Sequence, residues 1–322
     1  MPQAYVGARR SALGKPWFAR RASHYDARMT VLSVDLGGTR MRGAILGDDG
    51  AILYRDVRDT PQGDSEPSAL IALMRDLAAR EPRPERAIVG VPGRVDHREG
   101  CLDHAPNLPP SWKPHLTEAR LAAAVGLPVR FVNDADLAAV GEAFFGAGRG
   151  VDDVAFVTVS TGVGGGIVLG GRLLVGRRSL AEIGHMVIDR AAHARGEPST
   201  LEQLASGTAL ARIAGRHGLT GSARDVVELA RSGHEGALAA VGEARDALAI
   251  GIRNVAYAYT PELVVIGGGL GLNDDLLHPA IRAQLDAEGP PGMTVRLAKA
   301  SLGDDAGLVG AAGLERALTG AR

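Results

Sequence analysis

The sequence predicts a mixed α/β protein of two lobes. Apolar strand-like and helical runs alternate from Thr30 onward, and a strand–glycine turn–strand unit occurs twice. The length of 322 residues also exceeds what one small domain needs.

Val31 to Leu36 reads as a short apolar strand, and Gly37-Gly38-Thr39 turns the chain into a second, Met41 to Leu46. Gly47-Asp48-Asp49-Gly50 leads to a third, Ala51 to Val57. Glycine and aspartate clusters between strand-like runs mark tight hairpins, so these three should form an antiparallel meander. Leu70, Ile71, Leu73, Met74 and Leu77 give a helical face within Pro67 to Arg80. Ala87 to Val91 is a strand stopped by Pro92-Gly93. A helix over Lys113 to Val125 is closed by Gly126 and Pro128. Strand Val129 to Val132 then delivers Asn133 and Asp134 at its carboxyl end.

The opening plan repeats in Val154 to Val159, a glycine-rich turn from Ser160 to Gly166, and a returning strand, Ile167 to Leu169. Leu201 to Arg216 and much of Ala223 to Tyr259 read as helical. Leu263 to Ile266 is a buried strand running into Gly267-Gly268-Gly269, and Ala306 to Leu318 is a small-residue-rich helix. The expected division is a small lobe over 29–135, completed by the terminal helix over 306–322, and a larger lobe over 136–305. In residues 1–28, Arg9, Arg10, Lys15, Arg20, Arg21 and Arg28 face a single acid, Asp26. This reads as a disordered leader; the alternatives are a transit peptide or a nucleic-acid arm, and the apolar stretch of a signal peptide is missing.

Composition narrows the function classes. A net charge of −1 leaves no electrostatic footprint for nucleic acid or an anionic membrane. Aromatics at 4% are too few for base-stacking platforms. Cys101 is the only cysteine, which excludes intrachain disulfides and cysteine-cluster metal sites. No apolar run approaches the ~18–20 residues of a membrane helix. These observations predict a reducing, cytoplasmic setting.

Glycine turns after strands let backbone N–H groups approach an anion closely. Three occur, at Gly37-Gly38, Gly162 to Gly166 and Gly267 to Gly269. Neither the P-loop nor the dinucleotide fingerprint is present, so phosphates would be held by hairpins rather than at a helix N-terminus. Asp35, beside the first turn, is placed to hold Mg²⁺ directly or through water, or only to shape the turn. Thr39 and Thr161 could offer hydroxyl and N–H groups to phosphate. Asp134, at a strand end where open α/β sheets place their ligands, is a candidate base for a hydroxyl acceptor. Capping the next helix is its alternative role, which Asp136 could fill equally. Glu182 and His185 could present two polar groups to one ligand, and Glu202 opens a helix.

Taken in order, these motifs resemble the ROK family of sugar kinases and sugar-responsive repressors, over residues 29–322. Asp35-Leu36-Gly37-Gly38-Thr39 and Thr161 to Gly166 match its two phosphate motifs. Gly267 to Gly269 matches its adenosine motif, and Asp305 to Ala312 its terminal hinge helix. The resemblance implies the sugar-kinase/actin-like ATPase fold, ATP and Mg²⁺ as cofactors, and a homodimer or homotetramer. It places Asp35, Gly37, Gly38, Thr39, Arg40, Thr161, Gly162, Gly164, Gly165, Gly268 and Gly269 at ATP. It places Gly93, Arg94, Asn107, Asn133, Glu182, His185 and Glu202 at the sugar, with Asp134 as the base. Family members usually phosphorylate the 6-hydroxyl of glucose or a related hexose. Arg94 and Ala181-Glu182 resemble members acting on N-acylmannosamine. A sugar sensor or repressor and a polyphosphate-dependent kinase are further alternatives, although the leader is too short for a helix-turn-helix. One departure stands out. The family's Cys-x-Cys-Gly-x-x-Gly-Cys zinc segment is replaced by Arg190 to Thr200 without cysteine, so no zinc site is expected.

Overall fold

The computed structural model describes residues 29–178, 182–288 and 295–320; the leader, residue 181 and the last two residues lie outside these ranges. In chain order the first half comprises β1 (Val31–Leu36), β2 (Arg40–Leu46), β3 (Ile52–Asp59), α1 (Ser68–Ala78), β4 (Arg86–Val91), β5 (Arg94–Asp96), β6 (Cys101–His104), α2 (Glu118–Val125), β7 (Val129–Asn133) and α3 (Asp134–Phe144). The second half comprises β8 (Val154–Val159), β9 (Val163–Leu169), β10 (Arg172–Leu173), α4 (Arg190–Ala194), α5 (Leu201–Ala205), α6 (Gly207–Arg216), α7 (Ala223–Arg231), α8 (Glu235–Tyr259), β11 (Leu263–Gly267), α9 (Gly268–Gly271), α10 (Asp274–Glu288), β12 (Arg296–Lys299) and α11 (Ala306–Thr319).

Two open five-stranded sheets follow one plan. The first runs β3-β2-β1-β4-β7 and the second β10-β9-β8-β11-β12. In each, an antiparallel meander is extended by two parallel strands. The repeat legible in the sequence is therefore a repeat of whole sheets. Alternating apolar residues of β1 divide between two cores: Leu32, Val34 and Leu36 join α1 and α2, while Val31 joins α3 and α11. Helices α3 and α11 cross at glycines. A Cβ on Gly310 would stand 1.9 Å from the Leu137 carbonyl oxygen, and one on Gly141 2.2 Å from that of Ala306.

Three expectations need correction. The helix expected over Lys113 to Val125 is split into a 3₁₀ turn, Pro110–His115, and α2. Pro114 denies the chain a backbone donor there, and Thr117 caps the new helix from its side chain. The turn expected over Ser160 to Gly166 is shorter, because Gly164 to Gly166 belong to β9. Those glycines serve packing: a Cβ on Gly166 would meet Ala139 Cβ at 2.5 Å, and one on Gly165 the Ile183 side chain at 2.7 Å. Finally, Gly268 and Gly269 open the short helix α9 instead of a hairpin.

Candidate active site

A cleft of about 1190 Å³ is bordered by residues of both sheets. Asp134, the first residue of α3, reaches it from the carboxyl end of β7. Neither Asp134 nor Asp136 serves as the helix cap. Asn133 does: its Oδ1 accepts the N–H groups of Ala135 at 2.9 Å and Asp136 at 3.1 Å. Its Nδ2 donates to the Gly93 carbonyl at 2.9 Å, fixing the Pro92-Gly93 turn against the helix. Gly93 has φ of +118° and approaches the His104 carbonyl so closely that a Cβ would stand 2.2 Å from it. With the cap supplied by its neighbour, the Asp134 carboxylate accepts the Ala135 N–H at 2.8 Å and borders the cleft. Burial, reinforced by the nearby negative charge of Asp35, pushes its pKa up to about 6. A general base works best with a pKa near the operating pH.

Arg94, Asn107, Glu182, His185 and Glu202 border the same cleft. Arg94 Nε lies 3.1 Å from Asp103 Oδ2, which also pairs with Arg178 at 2.7 Å. Glu182 and His185 approach to 3.9 Å and keep substantial exposure. Glu202 Oε2 accepts the Val163 N–H at 2.9 Å and backs Gly162, where a Cβ would stand 2.4 Å from that oxygen. The loop that carries no cysteine is ordered by the backbone. Ile188 and Leu201 N–H groups bond Ser199 and Met186 carbonyls, Asp189 caps α4, and Thr200 and Gln203 form a capping box at α5. Among the described residues no group of three or more His, Cys, Asp or Glu is placed to hold a metal ion. His193 Nδ1 instead lies 3.3 Å from Ser199 Oγ.

Thr161, Gly162, Gly164 and Gly165 line another wall, with Gly268 and Gly269 beside them. Gly268 has φ of +81°, and a Cβ there would lie 2.4 Å from the Val159 carbonyl oxygen. Such crowding admits only glycine and leaves backbone facing the cleft, which fits an anionic ligand. Of the first turn, Asp35 borders the cleft, whereas Gly37, Gly38, Thr39 and Arg40 are not among its lining residues, and Thr39 and Arg40 are exposed. Gly38 backs onto Asn107, whose carbonyl oxygen would lie 2.4 Å from a Cβ. Arg40 turns toward Asp59, its partner in the β2–β3 register, at 3.9 Å.

Sequence reasoning passed over Arg42, which does border the cleft. It stands opposite Asp35 in the β1–β2 register and donates to Asp35 Oδ2 through Nε at 3.0 Å and through Nη2. A hairpin pairing Leu36 with Met41 puts Asp35 across from Arg42, so the sequence carried the signal in its register.

The fold and the cleft define the class: a two-sheet α/β chain of sugar-kinase/actin-like ATPase architecture. The sequence profile of the ROK family matches residues 31–317, and the chain belongs to that family. It is 36% identical over 293 residues to the bifunctional enzyme NanE/NanK of Brucella melitensis, covering 88% of this chain but 53% of that protein. It thus spans about half the length of that relative. It is 32% identical over 310 residues to the glucokinase of Thermotoga maritima, covering 89% and 97% of the two chains. The crystal structure of a ROK family glucokinase from Streptomyces griseus in complex with glucose and AMPPNP superposes with a TM-score of 0.72 at 31% identity, covering 89% and 99%.

Proposed function

We propose that this chain transfers the terminal phosphoryl group of ATP to the 6-hydroxyl of a hexose, glucose in the first instance. The observation that carries the reading is the half-buried Asp134 carboxylate, relieved of capping duty and lining a glycine-walled cleft. In the reaction Asp134 takes the hydroxyl proton, the sugar oxygen bonds to phosphorus, and the bond to the ADP leaving group breaks. Positioning and charge stabilisation supply most catalysis in phosphoryl transfer. Gly93, Arg94, Asn107, Asn133, Glu182, His185 and Glu202 would hold the sugar. Thr161, Gly162, Gly164, Gly165, Gly268 and Gly269 would hold the nucleotide, with the turn of Gly37, Gly38, Thr39 and Arg40 supporting Asp35 from behind. Mg²⁺ would reach Asp35 through water and neutralise phosphate charge. The lobes would be 29–135 with 306–322, and 136–305, meeting where α3 crosses α11. Assembly as a homodimer or homotetramer in the cytoplasm completes the reading.

A second reading, an N-acylmannosamine acceptor, is favoured by one observation. Arg94 follows Gly93 at the cleft, where its guanidinium is tethered by Asp103 and could donate to an acyl oxygen. The deciding experiment is a coupled ADP-release assay across glucose, mannose, fructose, glucosamine, N-acetylglucosamine and N-acetylmannosamine. Turnover greatest with glucose supports the first reading and greatest with N-acetylmannosamine the second. No ADP release with any sugar would sink both.

A further inference from the structure

Glu142 lies on α3 two turns beyond Asp134 and is fully buried. A carboxylate removed from water is costly unless hydrogen bonds replace the solvent. Here they do. Oε2 accepts the Ala147 N–H at 2.9 Å, the Ser301 N–H at 3.1 Å and the Ser301 hydroxyl at 3.3 Å. Oε1 accepts the Leu302 N–H at 2.8 Å. The first of these donors closes the end of α3; the other three belong to the turn between β12 and α11, some 160 residues away in sequence.

That turn is part of the cleft. Ala300, Gly303 and Asp304 border it beside Gly267 to Gly269. The two stretches are packed together: the Ala300 N–H bonds the Ile266 carbonyl at 2.9 Å, and a Cβ on Gly267 would stand 3.0 Å from Ala300 Cβ. One helix therefore carries the Asp134 carboxylate at its N-terminus and, eight residues on, the carboxylate that fixes the β12–α11 turn. Regular helix geometry makes the spacing between them rigid, about 12 Å for eight residues.

We infer that Glu142 is a positioning residue that sets the nucleotide-side wall of the cleft relative to Asp134. The inference rests on the reading of Gly268 and Gly269 as the nucleotide side. Because three of the four Glu142 bonds named above go to the β12–α11 turn, its loss should disturb nucleotide before sugar. Charge-assisted bonds to backbone N–H groups are stronger than neutral ones, and a buried donor left without its acceptor is costly.

The test compares wild-type chain with Glu142→Gln, which keeps the volume but removes the charge and turns one acceptor into a donor facing N–H groups. KM for ATP should rise about ten-fold while KM for the sugar stays within about two-fold. AMPPNP binding measured calorimetrically should weaken in parallel, and sugar binding should not. Both KM values rising together, or neither moving, would overturn the inference. Should E142Q fail to fold, Ser301→Ala removes only the hydroxyl contact and should raise KM for ATP about two- to three-fold alone; an unmoved value would then overturn it. Wild-type protein that binds no AMPPNP and releases no ADP would remove the kinase reading itself. An active wild type whose variants show no ATP-specific change would remove only the role of Glu142.

Discussion

Between β1 and β2 the glycines do not line the cleft, and Gly38 presses on Asn107; between β8 and β9, Gly162, Gly164 and Gly165 border it. The sheets share one strand order and one mixture of antiparallel and parallel pairings, so the difference is not one of topology. It lies in what each turn packs against. The first is tied to residues 60–62, where the Thr60 hydroxyl bonds the Gly37 carbonyl at 2.7 Å and Gln62 reaches Gly38. The second has Glu202 behind it and backbone in front. A repeated supersecondary unit thus backs Asn107 in one half and forms a wall of the cleft in the other.

Asp134→Asn should have the largest effect, lowering kcat by about 10²–10⁴-fold, the usual range for a lost general base, while calorimetry finds sugar binding retained. Gly268→Ala should follow, because a side chain there meets the Val159 carbonyl and an unfavourable φ; KM for ATP should rise at least about ten-fold. Gly269→Ala is its control for the fold, since a Cβ there meets no protein atom within 4 Å, and its Tm should match wild type. Gly38→Ala should displace Asn107 and raise KM for the sugar several-fold more than KM for ATP. The opposite split would show that the first turn serves the nucleotide directly.

The smallest effect concerns stability. Asp136 is fully buried, and burial together with the charge of Asp134 holds its carboxyl well above the usual carboxylate range. Neither of its oxygens has a hydrogen-bond partner among the described residues. The unfolded chain releases this proton near pH 4, whereas the folded chain retains it, so stability falls as pH rises above that point. Asp136→Asn should therefore raise Tm by roughly 2–4 °C at pH 7 and have little effect at pH 4, as differential scanning fluorimetry can show.

Much of this was legible in the sequence because strand ends and glycine turns are written locally. The apolar run before Asn133-Asp134 announced a strand end, and the cleft lies there. What was not legible depends on partners distant in sequence. Whether Asp134 or another residue caps α3 is decided by where Asn133 can reach, including the Gly93 carbonyl forty residues earlier. Gly165 and Gly166 look like turn residues until Ile183 and Ala139 are packed against them. Arg40 and Arg42 share one face of β2, yet β3 offers Asp59 to the first and β1 offers Asp35 to the second. The segment Arg190 to Thr200 lacks the expected cysteines, and helix caps and backbone bonds order it instead.

In this reading the half-buried carboxylate at the head of α3 takes the acceptor's proton, and the pH dependence of kcat/KM is its sharpest test. A base with pKa pushed up to about 6 in the free chain must lose its proton to work, so kcat/KM should rise ten-fold per pH unit below that value and level off above it. The rise should vanish in Asp134→Asn. A wild-type profile flat from about pH 5 to 8, or an unchanged acid limb in the variant, would contradict the account.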